Sequence, residues 1–573
     1  MSDRHLIAIG PVGAIDALAR KLAADSGLRN IRTSSTMLVA ADPGTALLSS
    51  DDGAVILVGR LFERSSGNAV EEISDPMARR ALNSAGRLIL GEYWGGYLLC
   101  LAMGEKDHIL LRDPSGAIPA YYRSDGELHF YFSDLGMASL AGPTAQSIDA
   151  TFAAQWLAYP HLRSERTGIG GVKELLGGCY RRTRGKEAKT GLAWTPWRFA
   201  AGDRQVEGFD QAALELEQCL LSTIAVAADR PGKPLLQLSG GLDSSIVAAA
   251  LAASGRAVEA LNYFTAEPDG DERRYARAVA QRWGLPLHEH QGDEPRQLHV
   301  PEKSLRPGAN PALAPLLEAL SAQAGRSGAA HLLGGAGGDN LFCFLTSAAP
   351  VVDAWTSNGW REAWHCCNDL SRLTGETFWK ALRATIRKGL TSRAYWRHCG
   401  LFLTSTGAAT GMPSHPWLDD VPEGMLKGKR EHVESLVSIQ HFLDRGVRGL
   451  PAQHHPLLNQ PLMELCLRIP SWFWLRYGQD RAVARAAMAA HLPGEILSRR
   501  TKGRLESIFF RTYGRLLPEL RELLLDGALA QNGILDPKAV NSYLDRGSNP
   551  GDDHYVRILE MSALELWWRS WRG

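Results

Sequence analysis

LLQLSGGLDSSIVAAALAA, residues 235–253, passes from an apolar strand to an Ala-rich helix through a glycine turn. Leu235, Leu236 and Leu238 carry the strand character, and Ser239-Gly240-Gly241 ends it. Glycines let backbone N–H groups close on an anion with no Cβ in the way. Ser239, Ser244 and Ser245 add hydroxyls, and the helix that follows points its partial positive end at the same spot. The pattern predicts a pyrophosphate cradle; the alternative is a tight strand-to-helix turn with no ligand. The Gly-Lys-Ser/Thr ending of a Walker A loop is missing, and with it the lysine that serves γ-phosphoryl transfer. A cradle with Asp243 available to hold Mg²⁺ suits nucleotidyl transfer instead. A carboxylate would attack the α-phosphate of ATP and pyrophosphate would leave.

Around the cradle, strands and helices alternate. A helix over Phe209–Ala228 precedes it. A strand (Val258–Thr265), a helix (Asp271–Trp283), the LPLHEH strand (Leu285–His290) and a helix (Leu313–Gly325) follow, leading into AHLLGGAGGDN, Ala330–Asn340. Such alternation predicts a parallel, doubly wound sheet with ligands at the carboxyl ends of its strands. Beyond Leu341 the pattern is mainly helical, as in Gln479–His491 and Arg515–Leu525. The first two hundred residues differ. AVILVGRLF (Ala54–Phe62), GGYLLCLAM (Gly95–Met103), HILLRD (His108–Asp113) and ELHFYFSD (Glu127–Asp134) are short strand-like runs of a sheet-rich α+β domain. The stretch Ala200–Gly208 reads as a linker, giving domains of 1–205 and 206–573, as expected for a chain of 573 residues.

Composition excludes several classes. A net charge of +1 gives no support for nucleic-acid binding. The start MSDRHLIAIG lacks the basic and apolar regions of a signal peptide, and no apolar run reaches the length of a membrane span. The 8 cysteines show no CxxC and include the adjacent pair Cys366-Cys367, which does not suit a disulfide framework. A cytoplasmic location is expected.

Three further segments carry chemistry or invite it. AHLLGGAGGDN repeats the strand-then-glycine logic and sets Asp339 at a strand's carboxyl end, where it would share one Mg²⁺ with Asp243; the alternative is an Asp capping the next helix. SRRTKG offers Lys502 as a cation for negative charge developing on an adenylate or oxyanion. The plainer reading of Lys502 is a solvated basic face. The ATP-binding set is therefore Leu238, Ser239, Gly240, Gly241, Asp243, Ser244, Ser245, Phe264, Gly334 and Gly335. His288 and His290 alternate on a strand without a third metal ligand, His454-His455 offers a general base, and SWFWLRY (Ser471–Tyr477) is either core or a peptide groove. Cys343 and Cys366-Cys367 read as small apolar packing residues.

Together SGGLDSS, Asp271–His290, GGAGGDN and SRRTKG resemble the synthetase domain of the asparagine synthetase superfamily. LRDPSGAIPAYY (Leu111–Tyr122), FSDLGMASL and GVKELLGGCY resemble segments of its N-terminal class II glutaminase (Ntn-type) domain. The resemblance implies two domains and ATP- and Mg²⁺-dependent amide formation. Glutamine-dependent members place a cysteine after the initiator Met; here Ser2 and Asp3 stand there, and the RGPD and NGE segments of a glutamine site are unrecognisable. The first domain is therefore expected to be degenerate. Where asparagine synthetase reads GEGSDE, this chain has Ala336 and Asn340, and the position of a β-lactam synthetase glutamate falls near Ala452.

Both departures resemble the lasso peptide cyclases, as do WTPWRFA, PLLNQPLMELCLRIP and DRAVARAAMAAHLPGEILSRRTKG. That branch implies adenylation of an Asp or Glu side chain of a precursor peptide. The peptide's own N-terminal amine then closes a macrolactam, with proximity replacing a strong base and Lys502 stabilising the adenylate. A leader peptidase and a leader-binding protein are the implied partners. The alternatives are an asparagine synthetase, glutamine-hydrolysing or ammonia-dependent, a β-lactam synthetase-like ligase, and a non-catalytic nucleotide- or peptide-binding scaffold.

Overall fold

The computed structural model describes residues 4–23, 29–34, 36–142, 147–267, 270–391, 394–443, 450–500, 506–547 and 552–572. Residues 5–192 build two antiparallel six-stranded sheets. The first runs in the order Lys173–Glu174, Tyr121–Asp125, Leu128–Phe132, His5–Ile9, Met37–Ala41, Arg29–Ser34. The second runs Glu187–Leu192, Cys179–Arg184, Asp107–Arg112, Tyr97–Gly104, Val55–Gly59, Leu47–Ser49. Successive strand residues face opposite ways, and the core divides accordingly. Ile7, Ile9 and Val39 of one sheet meet Ile56, Val58, Leu98 and Leu110 of the other between the layers. Leu6 and Ala8 face away from that layer.

Those outward faces are covered by distant parts of the chain. The C-terminal helices Leu517–Leu525 and His554–Ser570 pack over the Leu6 face, with Trp567 against Gly168, where a Cβ would meet the indole. On the second sheet, Leu57, Leu99 and Leu111 join one continuous core with Leu216, Leu220 and Ile246. A buried Glu174 ties the same regions together. It accepts from Arg112 at 2.8 Å, from Arg163 at 2.6 and 3.0 Å, and from Arg306 at 2.9 Å. Burial acts to raise its pKa, but Arg163, Arg306 and Arg112 hold the carboxyl far below the ordinary range. Indole N–H groups add direct stitches. Trp194 donates to Glu464, Trp197 to the Trp417 carbonyl, and Trp417 to the Gly177 carbonyl.

The remaining sheet is parallel, in the order Leu287–Gln291, Glu259–Phe264, Lys233–Gln237, Ala329–Gly334, Ala452–His454. The fold is thus α/β and α+β: a sheet-rich first region followed by a doubly wound parallel sheet. The sheet's fifth strand, Ala452–His454, is too short to leave a hydrophobic period in the sequence. The helix expected over Gln479–His491 forms only as Ala482–Ala487. Arg481 sits in left-handed backbone (φ +48), and Arg476 and Gln479 bond to each other's carbonyls in a turn just before it. Among the described residues no helix is long and apolar enough to cross a membrane, and no cysteine is disulfide-bonded.

Candidate active site

Strand order reverses about Lys233–Gln237, whose neighbours Glu259–Phe264 and Ala329–Gly334 lie on opposite sides. The crevice beyond their carboxyl ends is where open α/β sheets bind ligands. Leu238 closes the first strand. Its N–H bonds to the Leu261 carbonyl at 2.9 Å, and its own carbonyl accepts from Asn262 at 2.8 Å. The turn then needs Gly240, at φ +78, where a Cβ would lie 2.7 Å from Tyr275 Cβ.

The helix Leu242–Ala253 starts at Gly241 with no side-chain cap. The N–H groups of its first turn have no intrahelical acceptor, so a helix buried over Leu242–Leu251 opens on uncapped donors. Ser239 and Ser244 stand over that opening with their hydroxyls 3.0 Å apart. Ser245 does not join them: it is fully buried and its hydroxyl donates to the Gly241 carbonyl at 2.7 Å. Phe264 ends the neighbouring strand, with the Arg273 guanidinium 3.9 Å from its ring centre.

The GGAGG loop lies directly on the cradle. A Cβ at Gly335 would come within 2.7 Å of the Asp243 carbonyl carbon, and one at Gly338 within 2.6 Å of Asp243 Oδ1. Gly334 ends the adjoining strand, in register with Gln237. This close approach brings Asp339 and Asp243 together on one atom. Arg481 Nη1 donates to Asp243 Oδ1 at 3.4 Å and also to Asp339 Oδ1. Arg481 Nε reaches Asp480 at 2.9 Å, and Asp480 is held in turn by Arg485 at 3.0 Å. Burial works against the charge on Arg481, yet Asp243, Asp339 and Asp480 raise its pKa. Burial likewise opposes the charge on Asp480, which Arg481 and Arg485 keep below the usual carboxylate range.

Two carboxylate oxygens that converge on one cationic nitrogen mark a point of negative potential. Hard oxygen donors there, beside the uncapped start of the helix Leu242–Ala253, fit Mg²⁺, which takes carboxylate and phosphate oxygens together. Asp243 and Asp339 are the residues that would hold it. No cluster of three or more His, Cys, Asp or Glu suited to a metal occurs among the described residues.

Arg481 was not among the residues singled out by sequence. Its only trace there is DR in the segment RYGQDRAV, and its role depends on a left-handed backbone no motif announces. Lys502, like Ser2, lies outside the described residues. The chain leading to it is anchored at the cradle: Arg499 donates to the Gly240 carbonyl at 3.0 Å and pairs with Glu272. Ala336 is exposed at the loop tip. The Asn340 amide donates to the Ser435 carbonyl at 2.8 Å and hydroxyl at 2.9 Å.

Other candidates settle into the framework. Ala452 pairs with His331 in the edge strand. His454 packs edge-on against His331, 5.8 Å between centroids, and burial holds its pKa well below the normal range. His288 bonds to Glu259 at 2.9 Å, and His290 stacks on Tyr263. Trp472, Phe473 and Trp474 are core, as are Cys343, Cys366 and Cys367.

The family model for asparagine synthase matches residues 225–569. Among solved structures, the allosteric regulatory enzyme of purine biosynthesis aligns at 9% identity over 52% of this chain and 82% of its own, with a TM-score of 0.22. Glutamine phosphoribosylpyrophosphate amidotransferase from B. subtilis, complexed with ADP and GMP, aligns at 10% identity over 50% of this chain and 65% of its own, with a TM-score of 0.21. No curated protein matches the chain.

Proposed function

The chain belongs to the asparagine synthase family of ATP-dependent amide ligases, and on that premise we propose that it is a macrolactam synthetase of the lasso cyclase type. One observation supports the reading: the loop over 334–340 sets Asp339 beside Asp243, while its Ala336 and Asn340 carry neither of the acidic side chains that flank the aspartate in GEGSDE. Asp339 shares a guanidinium nitrogen with Asp243, whereas Ala336 offers no side-chain functional group and Asn340 is tied to Ser435.

ATP is the first substrate. Its pyrophosphate portion fits the uncapped N-terminus of Leu242–Ala253, with the Ser239 and Ser244 hydroxyls at the opening. Mg²⁺, held by Asp243 and Asp339, would neutralise phosphate charge. A carboxylate oxygen of the precursor peptide bonds to the α-phosphorus as the bond to the pyrophosphate oxygen breaks. The peptide's N-terminal nitrogen then adds to the acyl carbon, AMP leaves, and the nitrogen loses a proton. An amine tethered to its own electrophile gains chiefly from proximity. Arg481 offsets the mutual repulsion of the two aspartates by pairing with both, and Arg499 bonds to the turn at Gly240. Lys502, two residues beyond Arg500, is the cation proposed for the adenylate and the tetrahedral oxyanion. A leader peptidase and a leader-binding protein supply the trimmed peptide in this scheme.

The test supplies ATP, Mg²⁺ and a linear peptide with a free N-terminus and an internal Asp or Glu. Equal amounts of AMP, pyrophosphate and a product lighter by one water are expected, all abolished by Asp243→Asn. Asparagine made from aspartate and ammonia, with no peptide-dependent AMP, would overturn the proposal.

A further inference from the structure

Residues 349–391 form a helical hairpin on which Trp355, Trp360, Trp364, Trp379, Ile386 and Leu390 are exposed. The first helix, Ala349–Thr374, bends at Gly359 (φ 79, ψ −171). The second, Phe378–Leu390, is capped by Thr377, whose hydroxyl accepts from the Lys380 N–H at 3.4 Å. Phe378 joins the two, its ring 4.3 Å from Trp364 and 5.7 Å from Trp379.

On the second helix only Ala381 is buried. Trp379, Ile386 and Leu390 follow a spacing of seven and four, so they share one side, and they are 72%, 55% and 83% exposed. Trp360 and Trp364, at 61% and 53%, extend the apolar surface onto the first helix. Trp379, Leu382, Ile386 and Leu390 line an open groove of about 590 Å³ with Arg383 and Arg387 at its edge.

The charge on this helix has one sign: Lys380, Arg383, Arg387 and Lys388, with no acidic residue from 378 to 391. Lys380 pairs with Glu376 and Lys388 with Glu431. Arg383 and Arg387 have no acidic partner among the described residues. A helix with indole and aliphatic side chains on one side and cations beside them is the chemistry of an interfacial helix. The rings sit at the headgroup boundary and the guanidinium groups meet lipid phosphates. In a helix facing its own core the apolar stripe would be covered; here it is turned outward.

We propose that this hairpin binds the surface of an anionic lipid bilayer, lying in the interface without crossing it. The inference does not depend on the peptide-cyclising reading. A soluble acidic protein would also complement the arginines. The lipid surface is favoured because the apolar groups form an extended open face spanning two helices.

The experiment is co-sedimentation of the full chain with phosphatidylcholine vesicles, with and without phosphatidylglycerol. Binding is expected only with phosphatidylglycerol, with a blue shift of tryptophan emission and release by high salt. Each basic residue near an anionic surface is worth about fivefold in partitioning, so Arg383→Glu with Arg387→Glu should weaken binding at least about twenty-five-fold. Trp379→Ser, Ile386→Ser and Leu390→Ser together should abolish it at unchanged melting temperature, since all three side chains are exposed. Failure of the native chain to sediment with phosphatidylglycerol vesicles overturns the proposal. So does binding that survives the arginine reversals. Saturable capture of a soluble protein by this face, without vesicle binding, assigns the hairpin to that protein instead.

Discussion

Gly338→Ala tests the central geometry with a single methyl group. A Cβ at 338 would lie 2.5 Å from Asp243 Cβ and 2.6 Å from Asp243 Oδ1. Non-bonded carbons rest about 3.5–4.0 Å apart, so the loop and the carboxylate must separate by about 1 Å. Asp243 is nearly buried, at 10% side-chain exposure, and its neighbour Ser244 is fixed in the first turn of a buried helix, so little of the strain relaxes locally. Overpacking of this kind costs about 1–3 kcal/mol. A misplacement of about 1 Å in a catalytic constellation costs on the order of a hundredfold in rate. The assay is peptide-dependent AMP release beside thermal melting, with Gly325→Ala as control. Gly325 lies inside the helix Ala314–Ser327 and a Cβ there meets nothing within 4 Å, so that variant should keep full activity and melt no lower. If Gly338→Ala released AMP within threefold of the native rate, the idea that Asp243 and Asp339 must converge would be wrong.

Three other perturbations address separate parts of the molecule. Arg481→Ala leaves Asp243, Asp339 and Asp480 without their shared counter-charge and should cost about 3 kcal/mol; Mg²⁺ alone should then raise the melting temperature of the variant more than that of the native chain, and equal shifts would refute the cation site. Glu174→Gln removes the carboxylate charge that Arg112, Arg163 and Arg306 share, for a loss of about 3–5 kcal/mol in urea titrations; a loss below about 1 kcal/mol would show that their bonds to backbone carbonyls suffice. His415 is buried with Nε2 3.0 Å from Gln440 Oε1 and Nδ1 accepting from the Trp417 N–H, and burial pushes it down to about 4 from 6.5. The unfolded imidazole therefore binds a proton through that window while the folded one does not, so stability is complete above pH 6.5 and falls as pH drops to 4, by about 3 kcal/mol. His331, His432 and His454 are lowered by burial in the same way, so His415→Gln should reduce the slope by the equivalent of one proton, and an unchanged slope would refute the His415 contribution.

The strand, glycine turn and helix were legible because their information is local, falling within the nineteen residues 235–253. The alternating elements around them were legible for the same reason, with the second strand observed at Glu259–Phe264 and the following helix at Arg273–Trp283. What escaped depends on residues far apart in the chain. Arg481 meets Asp243 across 238 positions, and its left-handed backbone breaks the helix that the Ala-rich pattern of 479–491 predicts. Ala452–His454 is a strand only because His331–Leu333 offers it a free edge. Ser245 carries a hydroxyl suited to phosphate, but the helix geometry turns it back to Gly241.

The core that runs from Leu57 and Leu99 through Leu216 to Ile246 has a practical consequence for dissection of the chain. A cut near residue 205 would not yield two independently soluble fragments. It would leave one fragment with the outer side of a β-sheet bare and the other without the wall its leading helix leans on. The first region is then half of a single cooperative unit, and its loss would bare the helices Phe209–Ala227 and Leu242–Ala253 that share its core.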